Sequence, residues 1–146
     1  MLRSMRLSAD GLFDLKRFEK CELEAYPDEG GKWTIGGGST LGVKKGDRID
    51  QAEADRRLAV KIAEVEAVVN AAVKLPELTQ GQFDALICFT YNVGNGAFRG
   101  STLLELLNSN DTTAAAEQFS RWIHVKGVIS PNLVRRRFCE VVRFLT

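Results

Sequence analysis

The sequence predicts an α+β fold, mainly α, in two lobes: a small one carrying a β-hairpin (about residues 8–48) and a larger helical one (about 50–146), joined by a long helix. Three observations carry this expectation. Leu58, Ile62, Val65, Val69 and Val73 recur at three- and four-residue spacing, the period of an amphipathic helix spanning about residues 50 to 73. The segment "FDALICFTY" is apolar nearly all round, as a central core helix must be. Between the strand-compatible runs "ELEAY" and "KWTIG" lies "PDEGG", strong turn chemistry for a hairpin with a glycine-rich exit.

In chain order, Ser8 can cap a first helix in which Leu12, Leu15, Phe18 and Glu19 share one broad face, so a carboxylate continues an apolar stripe. The hairpin follows. Asp50 and Glu53 form a D-x-x-E capping box at the start of the long helix, which Pro76 ends, and Thr79 with Gln82 forms a second box ahead of the core helix. "NVGNG" predicts a loop, Ser101 or Thr102 opens a helix over "LLELLN" closed by Asn108, and a short helix is expected over residues 112–121. Ser130 and Pro131 make a cap and first-turn pair for a last helix with Val134, Phe138, Val141, Val142 and Leu145 on one side.

A chain of 146 residues, about 45% hydrophobic, suits one compact domain. With 20 Lys and Arg against 19 Asp and Glu, it has no general attraction for nucleic acid, and any electrostatic function must be local. The first ten residues hold no apolar stretch of signal-peptide length and no segment reaches transmembrane length, so we expect a protein made soluble and not inserted in a membrane. Cys21, Cys88 and Cys139 lack metal-ligand or CxxC spacing and read as buried free thiols. The single His124 reads as a surface or packing residue, and neither a metal nor a cofactor is implied.

Chemistry concentrates in "FEKCELEAYPDEGGKWTIGGGST". Glu19 ends an apolar helix face, where desolvation favours the protonated carboxyl that a general acid needs. Asp28 lies in a polar, glycine-containing turn, where N–H groups and water favour the ionised form. Two carboxyl groups in unlike environments suit glycosidic bond cleavage, in which one protonates the leaving oxygen and the other positions water or attacks the sugar. Thr34, on the second strand, is placed to hold that water. On spacing alone a second reading stands beside this one: a helix-end ion pair, a turn former and an ordinary strand residue.

The residues go further than a lone acidic pair. Glu19, Ala25-Tyr26, Asp28, Gly31 and Thr34-Ile35-Gly36, followed by Gly38 and Thr40, resemble the E-x(5)-A-Y-x-D-x-x-G-x-x-T-I-G-x-G signature of the phage-type lysozymes, the endolysins. "FTYNVGNGAFRGSTLLELLN" is similar to that family's F-N-x-G-x-x-x-F-x-x-S-T-L-x-x-x-L-N segment, and Arg121-Trp122 with "SPNLVRRRFCE" resembles its closing region. The resemblance spans about the whole length and implies a lysozyme-like fold forming one catalytic domain.

It also implies hydrolysis of the β-1,4 bond between N-acetylmuramic acid and N-acetylglucosamine in bacterial peptidoglycan, with the glycan strand lying between the lobes. Glu19 would be the proton donor, and Asp28 and Thr34 would position water on the opposite face of the sugar, inverting the anomeric centre. Asn92 matches a cleft position suited to an acetamido group, Tyr26 a place to stack on a sugar or support the hairpin, and Arg136 stands for the "RRR" run in the substrate-binding set, one member of which would pair with Glu19 or Asp28. The implied setting is host lysis at phage release: synthesis in the host cytoplasm, passage to the periplasm with the help of a holin, and action as a monomer on peptidoglycan strands. A tail-associated or secreted antibacterial lysozyme, or a peptidoglycan-binding module with weakened catalysis, are the alternatives.

Three features depart from the family pattern. Gly37 stands where Tyr is frequent, and Ser39 where many members carry His, removing a large side chain and an ion-pair partner that would tie the hairpin to the helical lobe. Asn132 replaces a usual Gly.

Overall fold

A computed structural model describes residues 3–146. Met1 and Leu2, part of the segment read above for a signal, lie outside the described residues. The chain runs α1 (Ala9–Phe18), β1 (Glu22–Pro27), β2 (Trp33–Gly36), α2 (Gln51–Ala72), α3 (Gln80–Val93), α4 (Asn95–Arg99), α5 (Thr102–Asn108), α6 (Thr112–Gln118) with a 3₁₀ turn over Phe119–Arg121, β3 (His124–Val125), β4 (Val128–Ile129) and α7 (Pro131–Phe144). The fold is α+β, mainly α, with two separate two-stranded antiparallel sheets.

The centre is α3, every residue of which from Phe83 to Tyr91 is buried. Its capping box is complete: the Thr79 hydroxyl accepts from the Gln82 N–H, and Gln82 accepts from the Thr79 N–H. Helices α1, α2 and α7 pack around it. Phe89 meets Phe119 and Trp122 edge-on at 5.2 and 5.5 Å between centroids, and Phe119 meets Phe144 at 5.6 Å, a geometry that aromatic quadrupoles favour. Leu15 of α1 is fully buried in this same core, so the first helix stands with the helical lobe, and the hairpin lobe begins only after it.

On α2, Val65, Val69 and Val73 are buried and Leu58 and Ile62 half-buried, so the stripe expected from the spacing faces the core. Its N-terminal box is half-formed. Asp50 accepts from the Glu53 N–H, but the Glu53 carboxylate is drawn to Arg56 and Arg57 instead of back to the cap. The hydrogen bonds from these two arginines hold its pKa down at about 2.

The hairpin pairs Tyr26 with Thr34 and Pro27 with Trp33. Beyond β2 the chain folds back tightly, with Ile35 and Ser39 exchanging both backbone hydrogen bonds. Gly36 (φ 61°) and Gly38 (φ 109°) sit at this turn in conformations that side-chain-bearing residues rarely adopt.

Several expectations are corrected. "NVGNG" is not a loop: Asn92 and Val93 finish α3, Gly94 (φ 99°) breaks it, and α4 starts at once. The helix expected over residues 112–121 ends at Gln118 and tightens into the 3₁₀ turn. Asn108 does not close α5, whose C-cap is Ser109; its side chain crosses to α2, donating to the Ala72 carbonyl and accepting from the Lys74 N–H. A second hairpin, β3–β4, turns on Lys126 and Gly127, both at positive φ, as a two-residue turn requires. Cys88 is buried, but Cys139 is half-buried and Cys21 exposed.

On α7 the apolar side is largely exposed. Val134, Phe138, Val142 and Leu145 are 43%, 72%, 53% and 70% exposed, while Val141 packs against the core. The helix instead buries Arg136, Arg137, Glu140 and Phe144. Among the described residues no helix is long and apolar enough to cross a membrane.

Candidate active site

The hairpin, α1, the middle of α2, the C-terminal end of α3, β3 and α7 line an open cleft of about 1610 Å³. Glu19, Tyr26, Asp28, Thr34, Asn92 and Arg136 all line it, so the site residues read from the sequence converge on one place.

Glu19 arrives there because α1 ends at it. It is the C-cap, with extended backbone (φ −91°, ψ 98°) and its N–H still bonded to the Leu15 carbonyl, which turns the side chain off the helix toward α7. Arg136 donates to Glu19 Oε1 at 2.7 Å, and the rest of its guanidinium is also committed: Nε to Glu140 at 3.3 Å and a second terminal nitrogen to the Cys88 carbonyl at 2.9 Å. Burial works against the charge on Arg136, but Cys88, Glu19 and Glu140 outweigh it and hold its pKa above the ordinary arginine value. Arg136 therefore reaches the cleft through Glu19, as a fixed anchor for that carboxylate. Glu19 Oε2 faces the hairpin, where a Cβ on Gly38 would come within 3.0 Å of it.

Asp28 closes its own turn. Its Oδ1 accepts from the Lys32 N–H at 2.7 Å, its N–H donates to the Lys32 carbonyl, and its carbonyl accepts from Gly31. Thr34 is 4% exposed, and its hydroxyl donates to the Lys32 carbonyl at 2.9 Å. That fixes what each has left: with its proton committed, Thr34 Oγ1 can only accept, and so can the remaining oxygen of Asp28. Tyr26 stands opposite Thr34 in the sheet, half-buried, with Lys20 Nζ 4.9 Å from its ring centroid. Burial first, then the negative charges of Glu19, Glu22 and Asp28, push its hydroxyl pKa up.

Asn92 Oδ1 accepts from Arg137, which leaves the amide NH₂ as the group Asn92 can offer a ligand. Of the "RRR" run, Arg136 and Arg137 are both buried and Arg135 is exposed. His124 is exposed at the rim of the cleft, on β3. Among the described residues no three His, Cys, Asp or Glu side chains group in a way that could hold a metal ion.

Two cleft residues, Tyr91 and Lys61, and one behind the cleft, Arg137, were missed in the sequence. Tyr91 donates its hydroxyl to the Gly37 carbonyl at 2.6 Å, and burial pushes its pKa up. This bond ties the hairpin exit to α3 at Gly37. Arg137 orients Asn92. Lys61 lies beside Glu19 and Tyr91. A signal for Lys61 was present, since it falls three residues after Leu58 and four before Val65, on the buried stripe of α2.

A helical lobe and a small hairpin lobe, with a cleft lined by an anchored carboxyl group and by hairpin acceptors, match the lysozyme class of fold. Residues 16–140 match the family model described as phage lysozyme. The chain belongs to the phage lysozyme family. It is 39% identical over 144 residues to the endolysin of Acyrthosiphon pisum secondary endosymbiont phage 1, covering 96% of this chain and 98% of that one. Among solved structures, the endolysin from Escherichia coli O157:H7 phage FAHEc1 superposes with a TM-score of 0.84 at 38% identity, covering 99% of this chain and 96% of that one. The muramidase domain of SpmX from Asticaccaulis excentricus gives 0.83 at 34% identity, covering 97% of this chain and 98% of that one.

Proposed function

We propose that this phage-type lysozyme hydrolyses the β-1,4 bond between N-acetylmuramic acid and N-acetylglucosamine in peptidoglycan, with inversion at the anomeric carbon. The observation that carries the reading is that Glu19, held by Arg136, lines the same cleft as Asp28 and Thr34. Glu19 gives its proton to the glycosidic oxygen as the bond to the anomeric carbon breaks. A water donating one hydrogen to Asp28 and the other to Thr34 Oγ1 has only a lone pair left to present to that carbon. As it bonds, Asp28 takes its proton, and exchange with solvent restores both carboxyl groups. The Asn92 NH₂ is suited to an acetamido carbonyl, and the Tyr26 ring flanks the sugar site. Acting as a monomer, the enzyme would reach the wall after host synthesis and passage to the periplasm through a holin-type pore.

Turbidity clearing of chloroform-treated Gram-negative cells tests the chemistry. The wild type should lyse them, and Glu19→Gln should lose at least about 100-fold in rate, the scale of general-acid catalysis. Equal clearing by both proteins would remove Glu19 from its role. NMR of the first-formed reducing end tests the water: the inverted anomer is expected, and a retained one would overturn the part given to Asp28 and Thr34.

A further inference from the structure

The cleft holds a cation that this chemistry does not use. Lys61 lines it alongside Glu19, Gly38, Thr40 and Tyr91. Its Nζ lies 3.9 Å from the centroid of the Tyr91 ring, and that ring is itself fixed by the hydroxyl bond to Gly37. Other cations of the cleft are matched: Arg136 by Glu19 and Glu140, Lys20 by Glu22 at 3.4 Å, Arg143 by Asp14 at 2.8 Å. Arg17, Lys32 and Arg135 are exposed and keep their water. Lys61 is half-buried, yet among the described residues no carboxylate comes within ion-pair distance of it, and Glu19 and Glu64 attract it only from further off. Burial pushes its ammonium pKa down, which is the signature of a desolvated charge lacking full compensation. A bound anion would supply that compensation.

The substrate of the reading above carries such anions. Muramic acid differs from N-acetylglucosamine by a lactyl ether whose carboxyl group is either free or extended by a peptide stem with carboxylates of its own. Strands built only of N-acetylglucosamine carry none. We propose that Lys61 is a specificity residue that receives a carboxylate of the muramyl substituent, on the lactyl group or on the stem, and so distinguishes peptidoglycan from neutral glycan. This rests on the muramidase reading of the cleft.

Co-sedimentation with purified sacculi tests it, in a Glu19→Gln background so that the polymer survives. Lys61→Met, which keeps an apolar side chain over Tyr91, should weaken binding about tenfold, as the loss of one charged contact predicts, while Lys61→Arg should stay within about threefold. On sacculi whose carboxyl groups have been amidated with methylamine, the parent should fall to the level of Lys61→Met, and Lys61→Met should not change. Strands stripped of stems by an amidase, which frees the lactyl carboxylates, separate the sources: a Lys61 effect that is present on native sacculi and lost there assigns the stem, and one that appears or grows there assigns the lactyl carboxylate. A Lys61→Met effect of equal size on native and amidated sacculi, or none on either native or stripped strands, would overturn the proposal while leaving the muramidase reading intact. A parent that fails to pellet with native sacculi would withdraw the glycan reading and this inference with it.

Discussion

Gly38 is where the hairpin comes closest to the carboxyl group proposed as proton donor. Its φ of 109° already excludes most residues, and a Cβ there would stand 3.0 Å from Glu19 Oε2 and 3.6 Å from Tyr91 Cε1. Gly38→Ala should therefore cost about 1–3 kcal/mol in strain and also displace Glu19, with clearing activity down about 10- to 100-fold. Gly42 separates the two effects. At φ 71° it carries the conformational penalty, but a Cβ there meets nothing within 4 Å. Gly42→Ala should lower Tm by a similar amount and leave the activity of the folded enzyme unchanged. If both variants lose activity alike, the contact with Glu19 has no role. Tyr91→Phe tests the tie between lobes in the same way. It leaves the Gly37 carbonyl without its donor, which should cost about 1–2 kcal/mol in urea unfolding.

At the scale of elements, legibility followed how local the decisive interaction is. The long helix and the core helix were readable because a cap and an apolar pattern, both properties of neighbouring residues, agreed. The β1–β2 hairpin was readable from turn chemistry flanked by strand formers. "HVKGVI" carried a weaker version of that signal, and its second hairpin was overlooked. The buried face of α7 was not legible because it is decided by partners far away in sequence: Arg136 answers to Glu19, 117 positions earlier, and Arg137 to Asn92, 45 positions earlier. An apolar stripe usually marks the buried face, and here an ion network outranks it. Glu140 is the hinge of that network, 2% exposed and 3.3 Å from both arginines, with its pKa raised chiefly by burial against the pull of the two guanidinium groups. Glu140→Ala would leave two buried arginines short of counter-charge and should cost about 3–5 kcal/mol. Phe138→Gln, on the outward stripe, should change stability by no more than about 0.5 kcal/mol. Chemical denaturation of the two variants decides which face of α7 holds the fold; a large loss in Phe138→Gln would mean that the stripe is covered.

For the molecule as a whole, the proposed site was legible where it is compact in sequence and hidden where the fold assembles it. Glu19, Asp28 and Thr34 fall in one short stretch, and their spacing could be read at once. Tyr91, Arg137 and Lys61 join them only through packing of α2, α3 and α7 against the hairpin. The same packing places Cys88 at the junction, on the core helix beside the Arg136–Glu140 pair, where its carbonyl also receives Arg136. Burial pushes the Cys88 thiol well above its ordinary pKa. In the unfolded chain the same thiol ionises at about pH 8.5, so the folded state binds a proton that the unfolded state has lost. The stabilisation is thus complete below about pH 8.5 and is lost as pH rises from there toward the folded-state pKa, at about 1.4 kcal/mol per pH unit. Tyr91, also raised by burial, adds a loss of the same sign from about pH 10 upward. Urea unfolding at pH 7, 8.5 and 9.5 should show wild-type stability flat over the first interval and falling over the second. Cys88→Ala removes a buried group and should start lower at every pH, but its fall between pH 8.5 and 9.5 should be smaller by about 1 kcal/mol. Parallel curves for the two proteins would mean that Cys88 ionises as readily in the folded state as in the unfolded one, and that the junction of α3 and α7 admits water.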